Sequence, residues 1–371
     1  MTRPLRARID LAALRHNYSV ARQYGGATAL WCVVKANGYG HGLFRVAHAL
    51  SNLADGFALL ELESAEALRE AGLRQPLLMM EGFYSEDELP RFARHRLTPV
   101  LHSLAQVRWL VDSPMLDGLA EALPVYLKLN TGMNRLGLDQ ADFRQALAWL
   151  QASPRVAGIT LMTHFADADE PAGITRQMAC LADFRDGAAA GLPICLANSA
   201  ALVRFPGARG GAGDWARPGI MLYGCSPCPA IHSAEALGLR PVMNLESQVL
   251  AVRELAPGDT VGYGSTFVAS GPMRIGIIAG GYGDGYPRHA PTGTPVMVSG
   301  RRVPLVGRVS MDKICVDLSD IPAAQVGSPA TLWGVGPAGH LPVEEVAAAA
   351  GTISYELLCA LAARVAIQVE D

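Results

Sequence analysis

At 371 residues, 50% of them hydrophobic, the chain is longer than one ordinary core accommodates, so two domains are expected. A net charge of −3 with only 6% aromatic residues excludes the broad basic field and base-stacking platforms of a nucleic-acid binder. Seven scattered cysteines, an odd number, do not suggest a disulfide framework, and no run approaches the roughly 20 apolar residues of a membrane span.

The opening Met1-Thr2-Arg3-Pro4-Leu5-Arg6 resembles the basic start of a secretory leader. Arg8 and Asp10 then interrupt any apolar stretch, so a cytoplasmic protein is expected. Strands are predicted at Ala29–Val34, Gly56–Leu60, Pro76–Met80, Thr98–Leu101, Val125–Leu129, Gly158–Thr163, Pro193–Ala197 and Gly219–Tyr223. They are rich in Val, Ile, Leu and Met without clean alternation, as parallel strands covered on both faces are. Helical periodicity fills the gaps over His41–Leu53, Glu63–Ala71, Ser85–Arg94, Leu104–Asp112, Gln140–Gln151 and Thr175–Ala190. Eight strands with helical crossovers predict an N-terminal (β/α)8 TIM-type barrel over residues 1–238, with the first few residues free to pair with the later domain.

From residue 239 the texture changes to short strands divided by turn signals: Val249–Leu255, Met273–Ala279, Pro295–Val298, Val303–Val306, Ile314–Leu318 and Ala330–Trp333. Helical patterns at Val343–Ala350 and Tyr355–Ala363 follow, so residues 239–371 read as a mostly β C-terminal domain. Within it, Gly280–Gly285 lacks the G-x-G-x-x-G spacing of a dinucleotide loop. Cys225-Ser226-Pro227-Cys228 is a lone C-x-x-C without a second ligand pair, and no metal is expected.

The chemistry concentrates at strand ends. In Val33-Val34-Lys35-Ala36-Asn37-Gly38-Tyr39-Gly40-His41-Gly42 a lysine closes an apolar strand and three glycines follow. A random lysine there would usually snorkel to solvent. A desolvated one gives up its proton more easily and can form a Schiff base, and the C-terminal end of a barrel strand is where that fold places catalysis. Lys128, Arg135, His164, Asn198, Ser199 and Arg217 fall at matching strand ends. Each alone reads as a satisfied structural residue; their coincidence on one barrel face favours a site.

The segment Val33–Gly42 resembles the cofactor-lysine signature of alanine racemases, which are fold-type III pyridoxal-phosphate-dependent enzymes. The resemblance continues through Gly132–Gly137, Arg217–Ile220, Val261–Gly264, Gly281–Tyr286, Gly307–Asp312 and Ser354–Glu356, spanning nearly the whole chain in order. Gly38 and Gly283 stand where alanine is frequent. The resemblance implies that Lys35 carries pyridoxal phosphate. Tyr39, Ser199, the backbone amides of Gly219 and Ile220, and Tyr355 would bind the phosphate. Arg217 would meet the pyridine nitrogen with His164 in support, Asn198 would also stand at the cofactor, and Arg135 would meet the phenolic oxygen and the substrate carboxylate. Lys128 matches a position carbamylated in some members. Tyr263 and Met311 would come from the neighbouring subunit of a homodimer, Tyr263 as the base opposite Lys35 and Met311 at the substrate, with Tyr282 and Asp312 in support.

The implied reaction interconverts L- and D-alanine. It removes the α-proton from one face and returns one to the other, so an acid/base group is needed on each side. A tyrosine serves as base only where its surroundings favour the phenolate. Arg217 keeps its proton, so it cannot readily pass one to a pyridine nitrogen, which weakens the electron sink and is expected to suppress transamination and decarboxylation. The product D-alanine would supply peptidoglycan, or the enzyme would act in alanine catabolism. A broad-specificity amino-acid racemase stays open as an alternative. A pyridoxal-phosphate decarboxylase is expected to use an acidic partner and a catalytic cysteine, and a non-catalytic cofactor carrier lacks the second domain.

Overall fold

The structure, a computed structural model, describes residues 3–118 and 121–371. Met1 and Thr2, which begin the leader-like stretch, lie outside the described residues. The chain divides into two compact units: Tyr18–Gly38 with Gly42–Leu222, and the residues through Asn17 with Tyr39–His41 and Tyr223–Asp371.

In the first unit eight parallel strands among the described residues close into a barrel: β2 (Ala29–Val33), β3 (Gly56–Leu59), β4 (Leu77–Met79), β5 (Leu97–Leu101), β6 (Leu123–Lys128), β7 (Val156–Met162), β8 (Ile194–Asn198) and β9 (Trp215–Arg217). They are numbered after β1 (Arg6–Asp10), which belongs to the second unit. The register Ala29↔Trp215 and Leu30↔Ala216 joins β9 back to β2. Every residue of β3, β4 and β5 is buried, so both faces are covered, which explains the unbroken apolar sequences of β3 and β4. Trp31 stacks on Trp215 at 4.1 Å and donates its indole N–H to the Tyr126 hydroxyl at 2.9 Å, filling the barrel while satisfying its polar handle.

The last barrel strand differs from expectation. It is Trp215–Arg217, and the predicted Gly219–Tyr223 forms instead a 3-10 turn over Ile220–Tyr223. Pro218 has no N–H to continue the ladder; its carbonyl still accepts from Val33 N, and Leu222 N then turns back to Gly219 O. A helix over Leu11–Gly25, unmarked in the sequence reading, starts where Asp10 Oδ1 accepts the Ala13 N–H at 2.7 Å.

The second unit is built on β10 (Met243–Leu255), whose first half pairs with β1 and with β17 (Pro329–Gly336). A register shift at Val249/Ala251 turns its second half onto β13 (Met273–Ala279), which pairs onward with β16 (Lys313–Asp317). β1 is also parallel to β19 (Ala366–Glu370). β14 (Pro295–Val298), β15 (Arg301–Pro304) and β18 (Gly339–Leu341) extend the sheet beside β17. Apart from it, β11 (Thr260–Val261) and β12 (Phe267–Val268) form a hairpin whose tip is Tyr263–Ser265. A small apolar cluster of Val261, Ile275 and Val306, with Phe267 packed against it, seats that hairpin.

Candidate active site

The candidate residues fall into two groups, one in each unit. In the barrel unit they gather at the C-terminal strand ends: Lys128, Asn198 and Arg217 are the last residues of β6, β8 and β9, while Lys35 and His164 follow β2 and β7 by two positions. Arg217 is buried and tied to the barrel wall. Its Nη1 donates to the carbonyl and thiol of Cys195 at 2.6 and 3.1 Å. Its Nη2 donates to Thr163 O at 2.8 Å and Leu196 O at 3.2 Å, and meets His164 Nδ1 at 3.4 Å.

These cations act on each other. Burial, then Arg217, Arg135, Lys128 and Lys35, push the His164 imidazole down to about 2, so the ring is neutral and suited to accept from Arg217. Burial, then Arg217 and Arg135, lower the Lys128 amine to about 8; Glu81 works the other way and Lys35 adds to the depression. A group of positive side chains that act on one another, with buried Arg217 held by neutral acceptors, is suited to an anion.

Backbone conformation around Lys35 is unusual. Ala36, Asn37 and Gly38 are left-handed at φ 50, 54 and 61°, and Tyr39 and Gly40 follow at φ 50 and 78°. Left-handed L-residues cost about 1–2 kcal/mol each, so surrounding bonds must hold them. Gly38 N donates to Val34 O at 2.8 Å and Gly42 N to Asn37 O at 2.9 Å, while Asn37 Oδ1 accepts the Leu43 N–H at 2.8 Å. Ser199 is buried, and its hydroxyl accepts the Gly219 N–H at 2.8 Å, which leaves the hydroxyl proton free to donate. Asn198 caps the helix Ser199–Arg204 by accepting from Ala201 N. Ile220 is fully buried behind this turn. Arg135 is exposed on a loop pinned by Asn130, whose Oδ1 accepts the Gly132 and Asn134 N–H groups at 3.1 Å.

In the second unit Tyr39 is buried, stacked on Tyr223 at 4.8 Å and tilted against Tyr355 at 5.8 Å. Tyr263, Met311 and Tyr282 are, by contrast, 70, 52 and 39% exposed. Asp312 accepts from Arg364 Nη2 at 2.7 Å. The sequence reading did not single out Thr163, Cys195, Asp284 or Arg364. The first two act largely through backbone carbonyls, which no residue type announces. Asp284 stood unremarked inside Gly281–Tyr286.

Cationic side chains at the C-terminal strand ends of an eight-stranded parallel barrel stand where this fold places its active sites, which marks the chain as a barrel enzyme. Residues 9–227 match the family "Alanine racemase, N-terminal domain" and residues 242–369 match "Alanine racemase, C-terminal domain". The chain is 52% identical to the alanine racemase of Nitrosospira multiformis, covering 98% of this chain and 99% of that one. It is 50% identical to that of Polaromonas naphthalenivorans over the full length of both. The solved biosynthetic alanine racemase of Pseudomonas aeruginosa superposes with a TM-score of 0.92 at 45% identity, and the Acinetobacter baumannii alanine racemase with 0.90 at 36%, each covering 100% of both chains. The chain belongs to the alanine racemase family.

Proposed function

We propose that the chain interconverts L- and D-alanine using pyridoxal phosphate carried by Lys35, with Tyr263 of a second subunit as the opposing acid/base. The observation that carries this reading is the group of Lys35, Lys128 and Arg217 at or just beyond the barrel strand ends with Arg135 on the loop after β6, whose fields add to burial in holding His164 neutral. Such a donor set suits a phosphorylated, phenolic cofactor. Ser199, the Gly219–Ile220 backbone, Tyr39 and Tyr355 would hold the phosphate; Arg217 would hold the ring nitrogen and Arg135 the phenolic oxygen and the substrate carboxylate. When bound, the cofactor withdraws electrons from the substrate α-carbon and so acidifies its proton.

Lys35 Nζ then takes or returns that proton on one face and the Tyr263 hydroxyl on the other, each contributing on the order of 10²–10⁴ in rate. Arg217 keeps its own proton throughout, which limits charge build-up on the ring. The high exposure of Tyr263, Met311 and Tyr282 in the single chain supports a homodimer in which the partner covers them. Incubation with L-alanine in D2O, following chirality and α-deuteration, tests the reading. Racemisation with deuterium at Cα, lost in Lys35→Ala, is expected. A protein that takes up the cofactor yet leaves alanine unchanged would overturn it and favour a different amino-acid substrate or a cofactor-carrier role.

A further inference from the structure

Two loops carry Tyr282 and Met311–Asp312, and one buried carboxylate ties them together. Asp284 is 0% exposed. Its Oδ1 accepts from Arg3 Nη1 at 2.5 Å and Arg364 Nε at 2.8 Å, and its Oδ2 from Arg3 Nη2 at 2.7 Å and the Gly281 N–H at 2.9 Å. Both arginines then reach onward. Arg3 Nη2 donates to Asp312 O at 3.0 Å; Arg364 Nη2 donates to Asp312 Oδ1 at 2.7 Å and to Met311 O at 3.3 Å. The backbones are joined as well, with Gly280 N on Asp312 O, Tyr282 N on Ser310 O and Gly283 N on Met311 O at 3.0, 3.0 and 2.9 Å.

Gly283 is part of this arrangement. A Cβ there would lie 2.7 Å from Arg364 Nη2 and 3.1 Å from Met311 Cγ, so the glycine leaves room for the guanidinium to bridge. A buried carboxylate with all its acceptor sites used fixes its partners far more firmly than surface pairs do. Arg364 is the hinge of that bridge: its Nε binds Asp284, and its Nη2 binds the Asp312 carboxylate and the Met311 carbonyl.

We propose that Asp284 is a positioning residue for substrate binding, holding Met311 and Asp312 in place through Arg364 and Arg3. The inference rests on the reading of the Met311–Asp312 loop as part of the substrate site. Asp284 itself touches no reacting atom, so its loss acts on substrate affinity rather than on proton transfer.

The test uses the cofactor-loaded enzyme. Asp284→Asn keeps the volume and an acceptor for Gly281 but removes the charge both arginines share. KM for L-alanine is expected to rise roughly 3–30-fold, the range of coupling through such networks, with kcat within about threefold. The inhibition constant for acetate, a probe without an α-amino group, should rise in parallel. Arg364→Met should give the same split, and the Asp284→Asn/Arg364→Met pair should be no worse than the poorer single variant. Arg364→Lys should recover part of the affinity. Arg364 is 42% exposed, so its variants carry the test if Asp284→Asn does not fold. Unchanged KM in Asp284→Asn and Arg364→Met, while Asp312→Asn raises it, overturns the inference alone, as do additive effects. Unchanged KM in Asp312→Asn and Met311→Ala as well removes the reading of the loop and the inference with it.

Discussion

Arg217 Nη1 donates to both the carbonyl and the thiol of Cys195, so one residue of β8 grips the guanidinium through its backbone and its side chain together. With Thr163 O and Leu196 O on the other nitrogen, the cation is held by neutral dipoles, and no carboxylate stands among these acceptors. Its position is set by the barrel wall itself.

Exchanging that group for an acid should change reaction fidelity. Arg217→Glu places an ionisable proton donor at the end of β9, and we expect slower racemisation accompanied by new pyruvate from transamination. Pyruvate release is measured by coupling to lactate dehydrogenase. A variant that slows without any new keto acid would contradict this role. The freed carbonyls of Thr163, Cys195 and Leu196 should also cost about 1–3 kcal/mol of stability, read as a lower denaturant midpoint.

His164 ties stability to pH. Its ordinary value is 6.5 and the folded chain lowers it to about 2, so below pH 6.5 the unfolded chain takes up a proton that the folded one refuses. This contribution is fully present above pH 6.5 and falls by about 1.4 kcal/mol per pH unit beneath it. His164→Gln cannot titrate, and its stability relative to the parent should improve by about 2 kcal/mol between pH 7 and pH 5 in urea titrations. Parallel curves for the two proteins would refute the linkage.

An amine lowered to about 8 is a competent nucleophile near neutrality, which suits Lys128 to carbamylation. Its Nζ would add carbon dioxide and release a proton, placing a negative charge among Arg135, Arg217 and Lys35. Protein equilibrated with ¹³C-bicarbonate at pH 8 should show a carbamate carbonyl resonance that is missing from Lys128→Ala. The same spectrum from both proteins would dismiss the modification.

Gly40→Ala should be costly for a reason separable from backbone angle. A Cβ there would sit 2.1 Å from Leu358 O, at φ +78°. Gly26 is left-handed too, at φ +58°, yet its Cβ would meet nothing within 4 Å. We expect about 1 kcal/mol lost at Gly26→Ala and at least about 2–3 kcal/mol at Gly40→Ala, measured by urea unfolding. Equal losses would mean that contact with Leu358 does not matter.

Much of this was legible because burial on both faces writes unbroken apolar runs, as in Phe57-Ala58-Leu59 and Leu77-Leu78-Met79. The end of the barrel was misplaced because Met221-Leu222-Tyr223 is apolar enough for a strand, while Pro218 denies it a ladder. The helix Leu11–Gly25 escaped notice because buried Ala13, Leu14, Asn17, Tyr18 and Ala21 include a polar residue that breaks the apolar stripe. Asn17 is satisfied there by Arg240, bonding both its N–H and its carbonyl at 2.8 Å. Lys35 could be read from its place between an apolar strand and glycines. The grip on Arg217 could not, since carbonyl oxygens carry no sequence signature. The Asp284 network joins residues 3, 284, 312 and 364, a grouping that only the folded sheet creates.

β1 lies between β10 and β19, matching Arg6 to Glu246 on one side and to Ala366 on the other. β1 therefore waits for β19, far along the chain, before both its edges are covered. During synthesis, at roughly 5–20 residues per second, β1 spends most of the chain's production time as an open edge. Removing the final six residues would make that exposure permanent, so the tail acts as a closing seam, and its loss should show first as aggregation of otherwise folded protein.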